Sequence, residues 1–308
     1  MKPKANIVVV GSINMDMVIQ TPKLPVTGET VLGGDYTTVP GGKGANQAVS
    51  ASRLGARVVM FGCLGQDSFG QQLLTNLQQE GIVTDHIRML PDYPSGIAFI
   101  PVTASGDNCI VVSPGANMQL TPDDIMQGED IIQNADVLMV QLEIPIDTVK
   151  AALTIAKKHN VVTILNPAPA KALSAAIYEL TDIMTPNETE SMLLAAGDVQ
   201  QAWGPEQTIA ELQRLGVGKV LLTRGGDGVA YPSGNGIEIV PACKVEVVDT
   251  TAAGDAFNAG LAVGLAEKLS FADAVRFAAK AAALAVTKPG AQPSLPLRKE
   301  VDEFTCIV

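Results

Sequence analysis

Short apolar runs rich in β-branched residues recur along the chain, and most are followed by a stretch long enough for a helix. Asn6–Val10, Val58–Cys63, Val137–Gln141, Val161–Leu165 and Asp182–Met184 read as buried strands. Phe69–Glu80, Ile146–His159, Glu188–Ala196 and Ile209–Leu215 read as helices between or after them, Val220–Thr223 and Gly228–Tyr231 as further strands, and Ala256–Glu267 and Phe271–Val286 as two closing helices. Strands that alternate with helices are joined by crossovers, which run them parallel and cover both faces. The expected fold class is therefore α/β, a doubly wound, mainly parallel sheet with helices on both faces.

Two stretches break this rhythm. Residues 12–40 and 96–113 contain strand candidates but no helix. Asp35–Val39 is one, and Gly96–Val102 with Asn108–Ser113 reads as a hairpin around Ser105-Gly106-Asp107. They are expected to be antiparallel pairs forming one small sheet, a β-sheet lid, over a main domain of residues 1–11, 41–95 and 114–308.

The formal charge of -11 argues against general binding of nucleic acid or an anionic membrane. It does not exclude a nucleotide, because helix dipoles and nearby cations act locally, within a screening length of roughly 8 Å. Cys63, Cys109, Cys243 and Cys306 form no C-x-x-C pair, and with His86 and His159 as the only histidines they offer no zinc pattern. Their spacing leaves disulfide pairing open. Met1–Asn6 is polar, and Ile7–Val10 is too short for a signal or a membrane span, so a cytoplasmic location is expected.

In such folds ligands sit beyond the carboxyl ends of the strands. The stretch Val248–Phe257 joins a polar turn to an apolar helix through Ala252, Ala253 and Gly254. A helix N-terminus has unpartnered N–H groups and a positive dipole end, which suits an anion. Asp255 beside it would repel that anion, and makes chemical sense as a base that takes a proton from an attacking nucleophile. The competing reading is an ordinary N-terminal carboxylate. Pro40–Gln47 is a glycine-rich turn opening a helix, without the G-x-x-x-x-G-K-[ST] of a P-loop, and no G-x-G-x-x-G follows the first strand. In Ser12–Ile19 polar and apolar residues alternate, which puts Asn14 and Asp16 on one face, able to grip a polyol or simply solvated. Further polar turns are Gln141-Leu142-Glu143, Asn166-Pro167, Thr185–Glu190 and Thr223–Gly228.

Together these segments resemble the PfkB carbohydrate kinase family over nearly the whole chain, from Val9–Asp16 to Gly290–Ser294. Gly41–Ala48 is similar to the family's N-terminal glycine signature and Asp249–Phe257 to its C-terminal D-T-x-x-A-G-D signature. The resemblance implies phosphoryl transfer from ATP to a sugar, with D-ribose, phosphorylated at its primary 5-hydroxyl, as the substrate. It implies Asp255 as catalytic base and the backbone of Ala252, Ala253, Gly254 and Asp255 as anion hole. Asn14, Asp16, Gly42, Lys43, Asn46 and Glu143 would hold the sugar. Asn187, Thr223, Gly225 and Gly228 would bind ATP, with Gly254 adjoining, and Glu190 would help order Mg2+. A monovalent cation, K+, would be held by Asp249, Thr251, Ala285, Lys288, Gly290 and Ser294, mostly through carbonyl oxygens, with Lys288 offering only its carbonyl. A homodimer through the lid sheet is also implied. The chain departs from the pattern at Ala279, beside Lys280, where Asn or His often meets the adenine. Other readings are another kinase of the family, acting on fructose, 2-keto-3-deoxygluconate or a nucleoside, or a non-catalytic sugar or nucleotide sensor. A dehydrogenase is disfavoured by the missing dinucleotide fingerprint.

Overall fold

Ile7, Val8, Val9 and Val10 alternate between the two sides of one strand, and each side meets its own core. The computed structural model describes residues 4–197, 203–234 and 236–308. Residues 1–3, 198–202 and 235, which fall within the span expected for the main domain, lie outside the described residues.

The chain runs β1 (Asn6–Val10), β2 (Asn14–Thr21), β3 (Tyr36–Gly41), α1 (Lys43–Arg53), β4 (Arg57–Gly65), α2 (Ser68–Gln79) and β5 (Val83–Leu90). The next strands are β6 (Gly96–Thr103) and β7 (Val111–Ser113), and two short helices, α3 (Pro122–Gln127) and α4 (Glu129–Gln133), lead on to β8 (Val137–Val140). Then come α5 (Ile146–Lys158), β9 (Val162–Leu165), α6 (Ala175–Glu179), β10 (Ile183–Met184), α7 (Glu188–Ala196), α8 (Pro205–Arg214) and β11 (Lys219–Val220). Three strands, β12 (Leu222–Thr223), β13 (Val229–Ser233) and β14 (Gly236–Val240), precede α9 (Ala253–Ala266), α10 (Phe271–Ala285) and α11 (Arg298–Glu303).

The main sheet has seven strands in the order β11-β10-β9-β8-β1-β4-β5, and every pairing is parallel. Ile7 and Val9, with Val58 and Met60, pack on one side against α1, α2, α9 and α10. Val8 and Val10, with Val59 and Phe61, pack on the other against α5, α6 and α8. From β1 the chain builds outward one way through β4 and β5, then returns to build the other way from β8. The strand order therefore reverses between β1 and β8, and a crevice opens beyond their carboxyl ends. With so few aromatics the core closes through small residues: a Cβ at Gly260 on α9 would stand 2.8 Å from the Cα of Ala278 on α10. The two helices thus meet at backbone distance.

The four-stranded sheet has the order β3-β2-β6-β7. β2 pairs with β3 and β6 with β7 antiparallel, but β2 and β6 run parallel, which corrects the expectation of antiparallel pairing alone. The stretch from α1 to β5 lies between them in sequence, long enough for the crossover that parallel pairing needs. The expected strand Val220–Thr223 is also divided. Val220 pairs with Met184 in the main sheet, and Leu222–Thr223 turns away to pair with β13 in a three-stranded antiparallel sheet. Strand β5 was not expected, because Thr84, Asp85, His86 and Arg88 interrupt its apolar residues; it is the sheet's edge, where polar side chains reach solvent.

Cys243 and Cys306 form a disulfide, and beside it the Lys244 N–H donates to the Ile307 carbonyl at 2.7 Å, so the C-terminal tail is fastened to the segment after β14. Cys63 is buried and Cys109 exposed, both free. No described helix is long and apolar enough to cross a membrane.

Candidate active site

The glycine turn at the start of α1 approaches the chain itself. Gly42 has φ 88°, and a Cβ there would stand 2.7 Å from the Asn14 nitrogen. A Cβ at Gly44 would stand 2.6 Å from the Gly11 carbonyl carbon. Glycine is required at both positions so that α1 can lie on the β1–β2 connection. This places Lys43 and Asn46 beside Asn14 and Asp16. The structural reading of the turn therefore accounts for its glycines, and the functional reading rests on the side chains they bring together.

Those side chains form a buried charge cluster. Asp255, in the first turn of α9, is 6% exposed. Its Oδ2 accepts from Asn46 Nδ2 and its Oδ1 from Gln47 Nε2, each at 3.0 Å. Burial pushes the Asp255 carboxyl above its ordinary range, while the Lys43 ammonium and these two amides oppose the rise. Burial, followed by the charges of Glu143 and Asp255, pushes Asp16 up to about 7, against the pull of Lys43. For Lys43, burial works against the charge, but Asp255, Glu143, Glu190 and Asp16 outweigh it and raise the ammonium above its usual value. Glu143 accepts from the Ser12 hydroxyl and, at 3.3 Å, from the Lys43 backbone N–H. Asn14 Oδ1 accepts from Asn117 Nδ2 at 2.7 Å, and the Asn14 amide hydrogens have no partner among the described residues.

Ala252 caps α9 in the left-handed region, φ 60° and ψ 9°, with no side chain capping the helix. That conformation costs an alanine roughly 1–2 kcal/mol. Among the described residues no group accepts from the N–H of Ala252, Gly254 or Asp255, whereas the Ala253 N–H reaches the Thr250 carbonyl at 3.3 Å. The left-handed turn thus leaves three donors at the end of the crevice that holds Asp255.

Next to them lies a cavity of about 640 Å³, lined by Lys43, Asn187, Glu190, Thr223, Gly225, Gly228, Gly254, Asp255 and Ala279. Asn187 and Glu190 form a reciprocal cap on α7: Glu190 N–H donates to Asn187 Oδ1 at 2.8 Å and Asn187 N–H to Glu190 Oε2 at 2.9 Å. Burial raises the Glu190 carboxyl, and Asp255 adds to the effect, while the Asn187 N–H and Lys43 oppose it. The Thr223 N–H donates to the Pro186 carbonyl at 2.9 Å, which sets β12 beside Asn187. Gly225 has φ 52°, and a Cβ at Gly228 would stand 2.1 Å from the Val240 carbonyl. Ala279 gives this wall a flat apolar face in place of an amide or imidazole, and Lys280 turns instead to the Phe304 carbonyl at 2.7 Å.

Asp249 ties two loops together. Its Oδ1 accepts from the Thr251 hydroxyl at 2.6 Å and its Oδ2 from the Gly290 N–H at 2.8 Å. Partial burial works against its charge, yet these donors hold the carboxyl below its ordinary value. Ala285 and Lys288 lie one turn apart at the end of α10, and Lys288 Nζ pairs with Glu300 at 2.8 Å. The Ser294 hydroxyl is committed to the Ala291 carbonyl at 2.8 Å. Both Asp249 oxygens are thus engaged by donors from Thr251 and Gly290, and the Lys288 ammonium is turned toward Glu300.

Four polar residues in and around this site were not assigned from sequence. Gln47 stands inside the N-terminal glycine signature and Gln141 and Asn166 in polar turns, but nothing local shows that they touch Asp255 or one another. Asn117 carries no local signal; it is read only once the chain after β7 returns to β2.

A family model described as pfkB family carbohydrate kinase matches residues 4–298. A ribokinase of Haemophilus influenzae is 43% identical, with 98% of this chain and 98% of that relative covered. A ribokinase of Bacillus subtilis is 44% identical, with 97% of this chain and 99% of the relative covered. The structure of Arabidopsis thaliana ribokinase complexed with ribose and ATP has a TM-score of 0.86 at 32% identity, covering 98% of this chain and 100% of that one. The chain belongs to the PfkB family of carbohydrate kinases.

Proposed function

We infer that this chain is an ATP-dependent ribokinase, transferring the γ-phosphoryl group of ATP to the 5-hydroxyl of D-ribose. One observation carries the reading: a buried carboxylate, Asp255, hydrogen-bonded to Asn46, stands beside unpartnered helix N–H groups and lines a cavity of nucleotide size. Relatives named ribokinase, covered almost end to end, support it.

Asn14, Asp16, Gly42, Lys43, Asn46 and Glu143 hold the sugar. The Asp16 carboxylate accepts from its hydroxyls, and an analogue lacking a hydroxyl leaves that charge unpaired. Asp255 takes the proton of the 5-hydroxyl as that oxygen attacks the γ-phosphorus. The bond from phosphorus to the β,γ-bridging oxygen breaks, and ADP leaves with the electron pair. The N–H groups of Ala252, Gly254 and Asp255 receive the negative charge that develops on the transferred group, with the Ala253 amide completing the turn. Asn187, Thr223, Gly225 and Gly228 bind the nucleotide. Glu190, whose Oε1 is outside the helix cap, would help order Mg2+, which would shield the phosphate charge.

Asp255→Asn lowers kcat about 10²–10⁴-fold with folding intact, and D-ribose leads a panel of sugars in an ADP-release assay. Near-native turnover in the pure variant contradicts the base assignment. Fructose, 2-keto-3-deoxygluconate or a nucleoside exceeding ribose about tenfold in kcat/KM contradicts the substrate.

The turn around Asp249 and Thr251, with the carbonyls of Ala285, Lys288 and Gly290, and Ser294 one turn on, would hold K+, which would fix the anion hole's geometry. Replacing K+ by a large organic cation at constant ionic strength and Mg2+ lowers the rate; equal rates contradict the assignment.

Segments 12–40 and 96–113 act as a lid on a body of residues 1–11, 41–95 and 114–308. Asn14 and Asp16 face the sugar. The opposite face carries Met17, Phe99 and Val111, the last two 46% and 62% exposed. Exposed apolar sheet faces invite pairing, so this face joins the same sheet of a second copy. Sedimentation gives twice the chain mass of 32.0 kDa, and Val111→Asp weakens the dimer. A monomeric wild type with full activity contradicts it. We place the reaction in the cytoplasm, where ATP is supplied.

A further inference from the structure

Asp255 is joined to a chain of buried amides, Gln47, Gln141 and Asn166, of which Asn166 also lines the cavity. Gln47 is 1% exposed, and Gln141 is fully buried. Gln47 Nε2 donates one hydrogen to Asp255 Oδ1 at 3.0 Å and the other to Asn166 Oδ1 at 3.1 Å, and its Oε1 accepts from Gln141 Nε2 at 2.7 Å. Every polar position of the Gln47 side chain that has a role in this network is therefore engaged, and its amide can point only one way. The lock has a cost. Gln141 Oε1 is buried with no partner among the described residues, and it occupies space that only a glycine at position 11 leaves open, since a Cβ there would stand 2.0 Å from it. An apolar pair of similar volume would fill the same space without an orphaned oxygen, so packing alone does not account for the amides.

We propose that Gln47 is a positioning residue for the proton transfer: its amide, locked by Gln141 and Asn166, holds one oxygen of Asp255 so that the carboxylate keeps a single orientation toward the attacking hydroxyl. This rests on Asp255 being the base. Asn46 holds the other oxygen, but Asn46 also faces the sugar, and its Oδ1 has no protein partner among the described residues. Gln47 is not among the residues that line the cavity, and its partners are protein side chains, Asp255, Asn166 and Gln141. The charged groups facing Asp255 are Lys43 from α1, Glu143 from the turn after β8, Asp16 from β2 and Glu190 from α7. Against three carboxyls and one ammonium, a fixed N–H donor favours the ionised form of Asp255, which is the form that accepts the proton.

The test is a kinetic pH profile with melting temperatures for Gln47→Met, Gln47→Glu and Gln141→Met. Gln47→Met keeps the length of the side chain and removes the donor. It lowers kcat at neutral pH about 10–100-fold, leaves the KM for ribose within about threefold, and moves the acid limb of kcat up by about one pH unit. Gln47→Glu sets a second carboxyl against Asp255 and moves the limb further the same way. Gln141→Met frees the Gln47 amide to turn and gives a smaller shift of the same sign; it decides the question if the Gln47 variants do not fold. Wild-type kcat and an unmoved acid limb in folded variants overturn the proposal, and so does a loss of kcat that tracks melting temperature with the limb unmoved. Asp255→Asn, assayed alongside, separates the two claims. If it is active, the base assignment fails; if it is inactive while the folded glutamine variants behave as wild type, only the role of Gln47 fails.

Discussion

Lys43 is one ammonium among four carboxyl groups, and the rest of the site depends on that imbalance. Asp255, Glu143, Glu190 and Asp16 all act on it, and together they keep it charged in spite of its burial. Asp255, Glu190 and Asp16 are all pushed above their ordinary values, burial first among the causes. Asp16 rises from 3.8 to about 7; at about 1.4 kcal/mol per unit, this is roughly 4 kcal/mol of disfavoured charge. A group raised in this way binds more protons folded than unfolded, so its contribution to stability falls as pH rises through that window. For a fold held by about 5–15 kcal/mol this is a large sum to leave in one crevice. It makes sense where ligands complete the set: sugar hydroxyls donate to the carboxylates, and a metal-bound nucleotide brings cations with its phosphates.

The backbone is shaped to hold this cluster in place. Gly42 and Gly44 let the start of α1 lie on the β1–β2 connection, so Lys43 and Asn46 come from one element and Asn14 and Asp16 from its neighbour. The reversal of strand order between β1 and β8 opens the crevice into which they point. Ala252 is held left-handed, and Ala252, Ala253 and Gly254 line the cavity beside it. Strain of this kind persists where the surroundings over-determine it. Here the Asp249 carboxylate, gripping Thr251 and Gly290 on either side, supplies the constraint.

The parallel sheet was legible in the sequence because strands buried on both faces leave continuous β-branched runs such as Ile7–Val10, and the crossovers between them leave helix-length segments. Edge strand β5 was not legible, since half of it faces solvent and breaks its apolar run with Asp85 and Arg88. Nor was the parallel pairing of β2 with β6: which strand lies beside which is settled by the crossover between them, not by either stretch. At the site, Asp255 and the glycine turn were readable as motifs, because their chemistry and their backbone demands are local. Gln47 was not, although it stands next to Asn46. Its work depends on Gln141 and Asn166, which reach it from the ends of β8 and β9.

The central claim is that the Lys43 ammonium opposes the rise that burial imposes on the base, and carbon-13 NMR titration of the aspartate carboxyls tests it most directly. In Lys43→Met, the Asp255 resonance should titrate at higher pH than in the wild-type protein, and Asp16 should move the same way, since Lys43 lowers both. A folded Lys43→Met protein in which the Asp255 midpoint is unmoved would contradict the account.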